Sequence, residues 1–280
     1  MALRKVAVVT GSNKGIGYAI VKGLCQDFQG DVYLTARDED RGSAAVKSLK
    51  ELGLNPKFYQ LDITDNQSVT KLKDYLVQEY GGLDVLVNNA AIAFKVSAPE
   101  PFEVQAEETI RVNYIATRNV CDILFPILRP HARVVNVSSS AGHLSRIPSE
   151  SLRQKFASEN LTVNELDDLM NTFVKDSKEN KHSSSGWGNS AYAVSKVGVS
   201  ALTRIQQREF LKDQREDIVV NSVHPGYVDT DMSSHKGHLT IEQGAVSSLY
   251  AALLPENITE PKGAYIWDNK DIIDWTAPLK

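Results

Sequence analysis

Short apolar runs alternate with amphipathic stretches through the first half of the chain. Val6 to Thr10 is valine-rich, the pattern of a strand buried on both faces. The spacing then predicts a helix from about Ile16 to Phe28, a strand over Val32 to Ala36, and a helix over Arg41 to Leu52 that ends at Gly53. A strand at Phe58 to Leu61 follows, with a helix from Ser68 to Tyr80 that stops before Gly81-Gly82. Asp84 to Asn88 reads as a fourth strand, Glu103 to Leu128 as one long helix ending at Pro130, and Arg133 to Ser138 as a fifth strand. This alternation implies α/β architecture: a doubly wound parallel sheet with right-handed crossovers and helices on both faces. Ligands of such sheets lie beyond the carboxyl ends of the strands.

The rhythm breaks between about Gly142 and Asn189. Thr162-Val163-Asn164-Glu165 has the form of a capping box. After it, Leu166, Leu169, Met170, Phe173 and Val174 fall on one face, which predicts a helix with a single apolar stripe. Asp176 to Gly188 reads as a polar loop. Regular structure resumes with a helix from Tyr192 to Lys212, a strand over Ile218 to His224, a helix over Thr240 to Leu253 and a last short strand at Tyr265 to Trp267. Residues 1–280 are therefore expected to form a single domain with a helical insertion at about 142–189. A chain of this length buries about three quarters of its unfolded surface in one core.

Composition narrows the function classes. Hydrophobic residues make up 42% and charged ones 24%, as in an ordinary soluble protein. The net charge of −4 and the lack of a basic block argue against nucleic acid as a partner. No run of 18 apolar residues is present, so no membrane span is expected. Cys25 and Cys121 have neither metal nor redox spacing and read as reduced thiols. Met1 to Lys5 leads into the first strand without a signal peptide, so the expected location is cytoplasmic.

Two groups of residues carry candidate chemistry. Thr10-Gly11-Ser12-Asn13-Lys14-Gly15-Ile16-Gly17 lies between a strand and a helix, where residues without Cβ let a pyrophosphate approach the backbone and the helix dipole. Lys14, Arg37 and Arg41 can converge on a 2′-phosphate, each charge-assisted bond contributing about 1.5–3 kcal/mol. Asp38 and Asp40 then read as acids favouring the next helix, and the expected cofactor is NADP(H).

Tyr192 and Lys196, four residues apart, share one helix face. An ammonium about 4 Å from the phenol is worth about 4 kcal/mol at an effective dielectric near 20. That would lower the phenol's pKa, near 10 in water, by roughly three units before desolvation takes some back, leaving a proton donor tuned to working pH. A serine at the end of the fifth strand could steady a carbonyl oxygen; Ser138, Ser139 and Ser140 are equivalent by position. Asn113 stands inside an apolar-periodic helix, where asparagine is disfavoured. The Gly-x-Ser-x-Gly signature of a hydrolase is missing. His235-Lys236-Gly237-His238 lacks a third ligand, so a loop is expected there and no metal.

Together with Asn88-Asn89-Ala90 and Pro225-Gly226, these motifs resemble the short-chain dehydrogenase/reductase family, over nearly the whole chain. The segments Asn13 to Gly17, Leu34 to Asp38 and Val87 to Ala90, and the insertion before the tyrosine, look like its NADPH-dependent carbonyl reductases. The resemblance implies a Rossmann-like fold and reduction of aldehydes, ketones and quinones. Tyr192 would be the proton donor, Lys196 would bind the nicotinamide ribose, Ser139 would orient the carbonyl, and Asn113 would anchor a water-linked relay. Asp62 and Ile63 would contact the adenine and Asn89 its ribose, with Pro225, Gly226, Val228, Asp229 and Thr230 toward the nicotinamide. Phe94, Lys95, Val96, Ala191 and Tyr227 would border the substrate, a small carbonyl compound. Ala91 departs from the family's Asn-Asn-Ala-Gly. Relatives with a short serine-to-tyrosine gap form tetramers through the tyrosine-bearing helix; the insertion is expected to cover that face and leave a monomer. Oxidation of a specific alcohol, or an NADP(H)-sensing regulator without turnover, are the alternative readings.

Overall fold

The computed structural model describes residues 4–95 and 97–278. Strands β1 (Lys5–Val9), β2 (Gly30–Ala36), β3 (Lys57–Gln60) and β4 (Leu83–Asn88) alternate with helices α1 (Gly15–Asp27), α2 (Glu39–Glu51) and α3 (Asn66–Tyr80). Helices α4 (Phe102–Ile110) and α5 (Thr117–Leu124) precede β5 (Leu128–Val137). The insertion contributes α6 (Glu150–Ala157) and α7 (Val163–Lys178). Then come α8 (Ala191–Phe210), β6 (Val219–Val223), α9 (Ile241–Ala252), β7 (Tyr265–Ile266) and β8 (Ile272–Ile273).

The sheet order is β3-β2-β1-β4-β5-β6-β7-β8. Neighbouring strands run parallel up to β7, and β8 pairs antiparallel to it. A wholly parallel sheet is thus corrected by its last strand. With only two residues, β8 carries no periodicity to read. Along β1, Val6 and Val8 pack toward α3 and α5, while Ala7 and Val9 pack toward α1 and α9. Apolar residues on both faces of one strand account for the unbroken run in the sequence. The chain reverses direction across the sheet between β1 and β4, and the ligand crevice of such folds opens at that switch point. Thr10 to Gly17 and Asn88 to Ala90 both lie there.

The long helix expected over Glu103 to Leu128 is divided. Between α4 and α5 the residues Arg111–Ala116 form a π-helical turn centred on Asn113. Strand β5 begins earlier than expected and takes in Pro130, because its pairing with β4 slips between Leu83 and Val85. Pro130 and the left-handed His131 (φ 65°) fall in this irregularity, where no ladder donor is required.

In the insertion, Thr162 and Glu165 close the capping box at α7. Leu166, Met170 and Phe173 are fully buried with Ile110, Tyr114, Val197 and Ala201. The apolar stripe therefore covers α4 and α8. Helix α6 was not foreseen: it is eight residues long, with only Leu152 and Phe156 buried. The expected loop after Asp176 is anchored by Trp187, whose ring packs against Phe156 and Phe173 and whose Nε1 donates to Asp176 Oδ2 at 2.9 Å.

Candidate active site

The ends of β1, β4, β5 and β6 are brought level by register: Val9 pairs with Val87, Asn88 with Asn136, and Val137 with Val223. Residues just beyond these ends therefore share one crevice. Lys196, one turn after Tyr192 on α8, is buried, and its Nζ donates to the carbonyl of Val137 at 2.7 Å. The ammonium lies 5.7 Å from the centre of the Tyr192 ring. Tyrosine, lysine and strand end thus meet as the sequence implied.

Their electrostatics differ from expectation. Burial pushes the Lys196 ammonium down to about 8. Burial also holds the Tyr192 phenol above its usual value, with a hydrogen bond from Ser139 acting in the opposite direction. The three-unit lowering is not found. Stripping water from the phenolate costs more than the Ser139 hydrogen bond returns. The phenol is accordingly protonated at neutral pH.

Position also separates the three serines. Ser138 is buried, its hydroxyl donating to the Lys196 carbonyl (3.2 Å) and paired with Ser200 Oγ at 2.8 Å. Ser139 is half-buried and accepts from Ala141 N at 3.2 Å. The backbone of Ser140 donates to His224 Nδ1 at 2.9 Å, and burial lowers the histidine's pKa, keeping that nitrogen an acceptor. Tyr265 OH donates to the Ser139 carbonyl at 2.5 Å. His224 and Tyr265 were missed from sequence; both act on backbone atoms, which leaves no spacing to recognise.

Asn113 does not offer a free side chain. Its Oδ1 accepts from Ile92 N at 2.8 Å, and its Nδ2 donates to Ile92 O at 2.9 Å and Ser195 Oγ at 3.1 Å. Ser195 in turn donates to the Tyr192 carbonyl at 2.8 Å. Asn113 thereby ties the segment after β4 to the first turn of α8.

At the glycine turn, Gly11 and Gly15 have φ of 60° and 59°. A Cβ on Gly11 would come within 2.8 Å of Ala90, and one on Gly17 within 2.5 Å of Asn89 Nδ2. Asn89 Nδ2 donates to the carbonyls of Thr10 and Gly11, both at 3.0 Å. Asn89, expected at a ribose, is therefore also the staple that shapes the turn. Helix α1 starts at Gly15, and the residue at its cap position, Lys14, makes no side-chain cap; no acidic residue stands in the first turn. Its N–H groups and dipole suit a pyrophosphate, so the residues fit a dinucleotide.

Arg37 is exposed at the end of β2. Asp38 is occupied as the cap of α2, accepting from Arg41 N at 2.8 Å and pairing with Arg41 Nη2 at 3.2 Å. Lys14 Nζ lies 2.6 Å from Asp231. Asp62 Oδ1 accepts from the backbone and hydroxyl of Thr64, and Ile63 is buried. Asn13 and Ile16 are half-buried within the turn. After β6, Pro225 is buried, Gly226 has φ 83°, Val228 is buried, Thr230 stands against Gly15, and Asp229 is engaged by His235. Phe94 is half-buried, Lys95 and Tyr227 are exposed, and Ala191 opens α8. Val96 lies outside the described residues.

A family model for short chain dehydrogenases matches residues 5–164 and 181–239, leaving out most of α7. The chain belongs to the short-chain dehydrogenase family. This short-chain dehydrogenase is 53% identical over 267 residues to carbonyl reductase [NADPH] 3 of Rattus norvegicus, covering 94% of the chain and 96% of the relative. It is 50% identical over 272 residues to carbonyl reductase [NADPH] 1 of Homo sapiens, covering 96% and 98%. The structure of salutaridine reductase from Papaver somniferum superposes with a TM-score of 0.85 at 34% identity, covering 95% of this chain and 100% of that one.

Proposed function

We propose that the chain is an NADPH-dependent carbonyl reductase acting on aldehydes, ketones and quinones. The observation that carries this is the meeting of Tyr192, Lys196 and Ser139 at one strand end, beside a glycine turn and an uncapped helix that suit a dinucleotide. The relatives of about half identity, named for NADPH-dependent carbonyl reduction, support it. When bound, the cofactor supplies the hydride.

The chain's own residues do the rest. Tyr192 holds a proton at neutral pH because burial disfavours its phenolate, and donates it to the carbonyl oxygen as charge develops there. Ser139 aligns that oxygen with the phenol. Lys196 places a buried cation at the ribose side and stabilises the phenolate once it forms. Asn113 orients the helix turn that carries Tyr192. A screen of NADPH oxidation over aromatic aldehydes and quinones tests the reading; no turnover across a broad panel would favour a non-catalytic NADP(H) sensor.

Lys14 and Arg37, with Arg41, recognise the 2′-phosphate. Arg37→Asp should lower the preference for NADPH over NADH roughly ten- to hundredfold. Equal relative affinities before and after the change would remove Arg37 from the site.

The chain also reads as one domain and a monomer. Leu166, Met170 and Phe173 cover α4 and α8; α8 carries the tyrosine, and the family resemblance implies that members with a short serine-to-tyrosine gap associate through that helix. Sedimentation at micromolar concentration should show a single species of one chain; a stable dimer or tetramer would refute this. A cytoplasmic location goes with this reading, supported by Cys25 and Cys121, both unpaired and held by burial as thiols, at about 11 and about 12.

A further inference from the structure

The His235-Lys236-Gly237-His238 run has no place in the chemistry described so far, yet it lies next to the nucleotide turn. Residues 228–239 form a closed loop after β6: Asp229 N donates to Leu239 O at 2.8 Å, and Ser233 Oγ donates to Val228 O at 2.7 Å and Thr230 O at 3.0 Å. Ser234 and His235 both hold left-handed backbone, φ 53° and 57°, a conformation that persists only where the surroundings impose it. The loop abuts the glycine turn, since a Cβ on Gly15 would lie 3.5 Å from Thr230 Cγ2.

Side chains continue that contact. His235 Nδ1 is 2.7 Å from Asp229 Oδ1 and its Nε2 is 3.0 Å from Asp231 Oδ1. Asp231 Oδ2 is 2.6 Å from Lys14 Nζ. Asp229, His235, Asp231 and Lys14 therefore form one chain of charges from the loop to the glycine turn. A neutral imidazole has one N–H, so it would serve one carboxylate and turn a lone pair on the other; the doubly protonated ring satisfies both. In agreement, hydrogen bonds to Asp229 and then Asp231 hold the His235 pKa above its usual value. Among the described residues, no other charged group lies within ion-pair distance of His235, and no cluster of three or more ligating side chains suits a metal.

Lys14 is the same ammonium that the proposed function assigns to the 2′-phosphate. Phosphate and Asp231 compete for it. When Lys14 passes to the phosphate, Asp231 keeps only His235. With the ring protonated, the four-residue set is neutral; with the ring neutral, it carries one negative charge beside an incoming anion. We propose that Asp231 and His235 are positioning residues for cofactor specificity: Asp231 holds Lys14 at the mouth of the 2′-phosphate site, and protonated His235 takes over the Asp231 charge once Lys14 moves to the phosphate. The preference for NADPH over NADH is thereby strongest while His235 carries its second proton, and declines as that proton leaves. This inference rests on Lys14 being a phosphate ligand.

The test is the ratio of NADH to NADPH dissociation constants, measured by fluorescence titration from about pH 5 to about pH 9, which covers the range in which histidine ordinarily changes charge and extends above it because the His235 pKa is raised. The ratio cancels effects on the shared part of the cofactor, Lys196 included. Comparison with His235→Gln subtracts the titration of the 2′-phosphate itself, whose second pKa is near 6. The wild-type ratio should exceed that of His235→Gln by about two- to fivefold at the acid end, the range of an exposed ion pair, and match it at the alkaline end. His235→Lys, a cation throughout, should keep the higher ratio at the alkaline end. A His235→Gln ratio that tracks wild type at every pH overturns the proposal. Lys14→Ala separates the two layers: a variant that retains the NADPH preference refutes Lys14 as a phosphate ligand. If that preference is lost while His235→Gln tracks wild type, only the role of Asp231 and His235 fails.

Discussion

Tyr192→Phe should bind NADPH as the parent does and reduce carbonyl compounds about 10²- to 10⁴-fold more slowly, the usual contribution of a positioned acid. The substitution removes one oxygen. The ring stays, together with its packing and the cation of Lys196 5.7 Å from its centre. Lys196 keeps its own partner, the carbonyl of Val137. The loss should therefore fall on kcat, with the cofactor's dissociation constant unchanged. Stability should change little, because the half-buried ring stays packed and the lost hydroxyl has only the Ser139 hydrogen bond to give up. In the parent enzyme, the reductive rate should be flat through neutral pH and decline only in alkali, where Lys196 loses its charge at about 8 and the phenol later loses its proton. A Tyr192→Phe variant with parental kcat would take the proton donor away from Tyr192.

The largest expected effect on stability lies at the other end of the sheet. Arg133 is 3% exposed at the start of the regular part of β5, and the Asp217 side chain is 5% exposed. Arg133 Nη2 donates to Asp217 Oδ2 at 2.8 Å and to the Pro255 carbonyl at 2.6 Å, while Nη1 reaches the Asp217 carbonyl at 2.6 Å and Nε that of Leu254 at 3.2 Å. One guanidinium thus joins β5, the entry to β6 and the exit from α9. Arg133→Met should destabilise the fold by about 3–5 kcal/mol, because a carboxylate and several carbonyls are left buried with fewer donors. The melting temperature should fall by roughly 10 °C.

The pH dependence has a definite sign. Burial by itself would raise the Asp217 carboxyl, but hydrogen bonds from Arg133, Asn257 N and His131 outweigh it and hold the group well below the usual carboxylate range. Its stabilisation is complete above the unfolded value, about 3.9, and is lost as pH falls through the lower folded value. The gap between parent and Arg133→Met should therefore narrow below about pH 4. Thermal melts across acid pH would check this; equal stability of the two proteins at neutral pH would contradict it. Cofactor affinity at moderate temperature should be unaffected, since the pair is remote from the crevice.

Much of the site could be read in the chain before any coordinates. Runs such as Val6 to Val9 are apolar at every position because both faces of β1 are covered, and this is visible as composition. Tyr192 and Lys196 share a face because four residues are about one helical turn. Gly11 and Gly17 stand where a Cβ would strike Ala90 or Asn89, so their spacing is itself a record of the turn. The apolar stripe of α7 was equally plain, as was its capping box.

What escaped was set by contacts between distant segments. The π-helical turn at Asn113 inserts a residue into a helix whose periodicity looked continuous, and only the pairing with Ile92 shows what it achieves. Ser138 and Ser139 are chemically identical neighbours; Ser200, across on α8, decides which one faces away. The direction of the Tyr192 shift depended on how much water burial removes, against one opposing hydrogen bond from Ser139.

By itself the sequence determined the alternation of strands and helices, the glycine turn, the tyrosine–lysine face and the stripe on the insertion. Each of these depends on neighbours within a few residues, where backbone geometry converts spacing directly into position. The tertiary structure alone decided which serine is available, how the phenol is poised and which carboxylate holds Lys14. Those outcomes depend on burial and on partners up to 217 positions away, as Asp231 is from Lys14, and no local pattern encodes them.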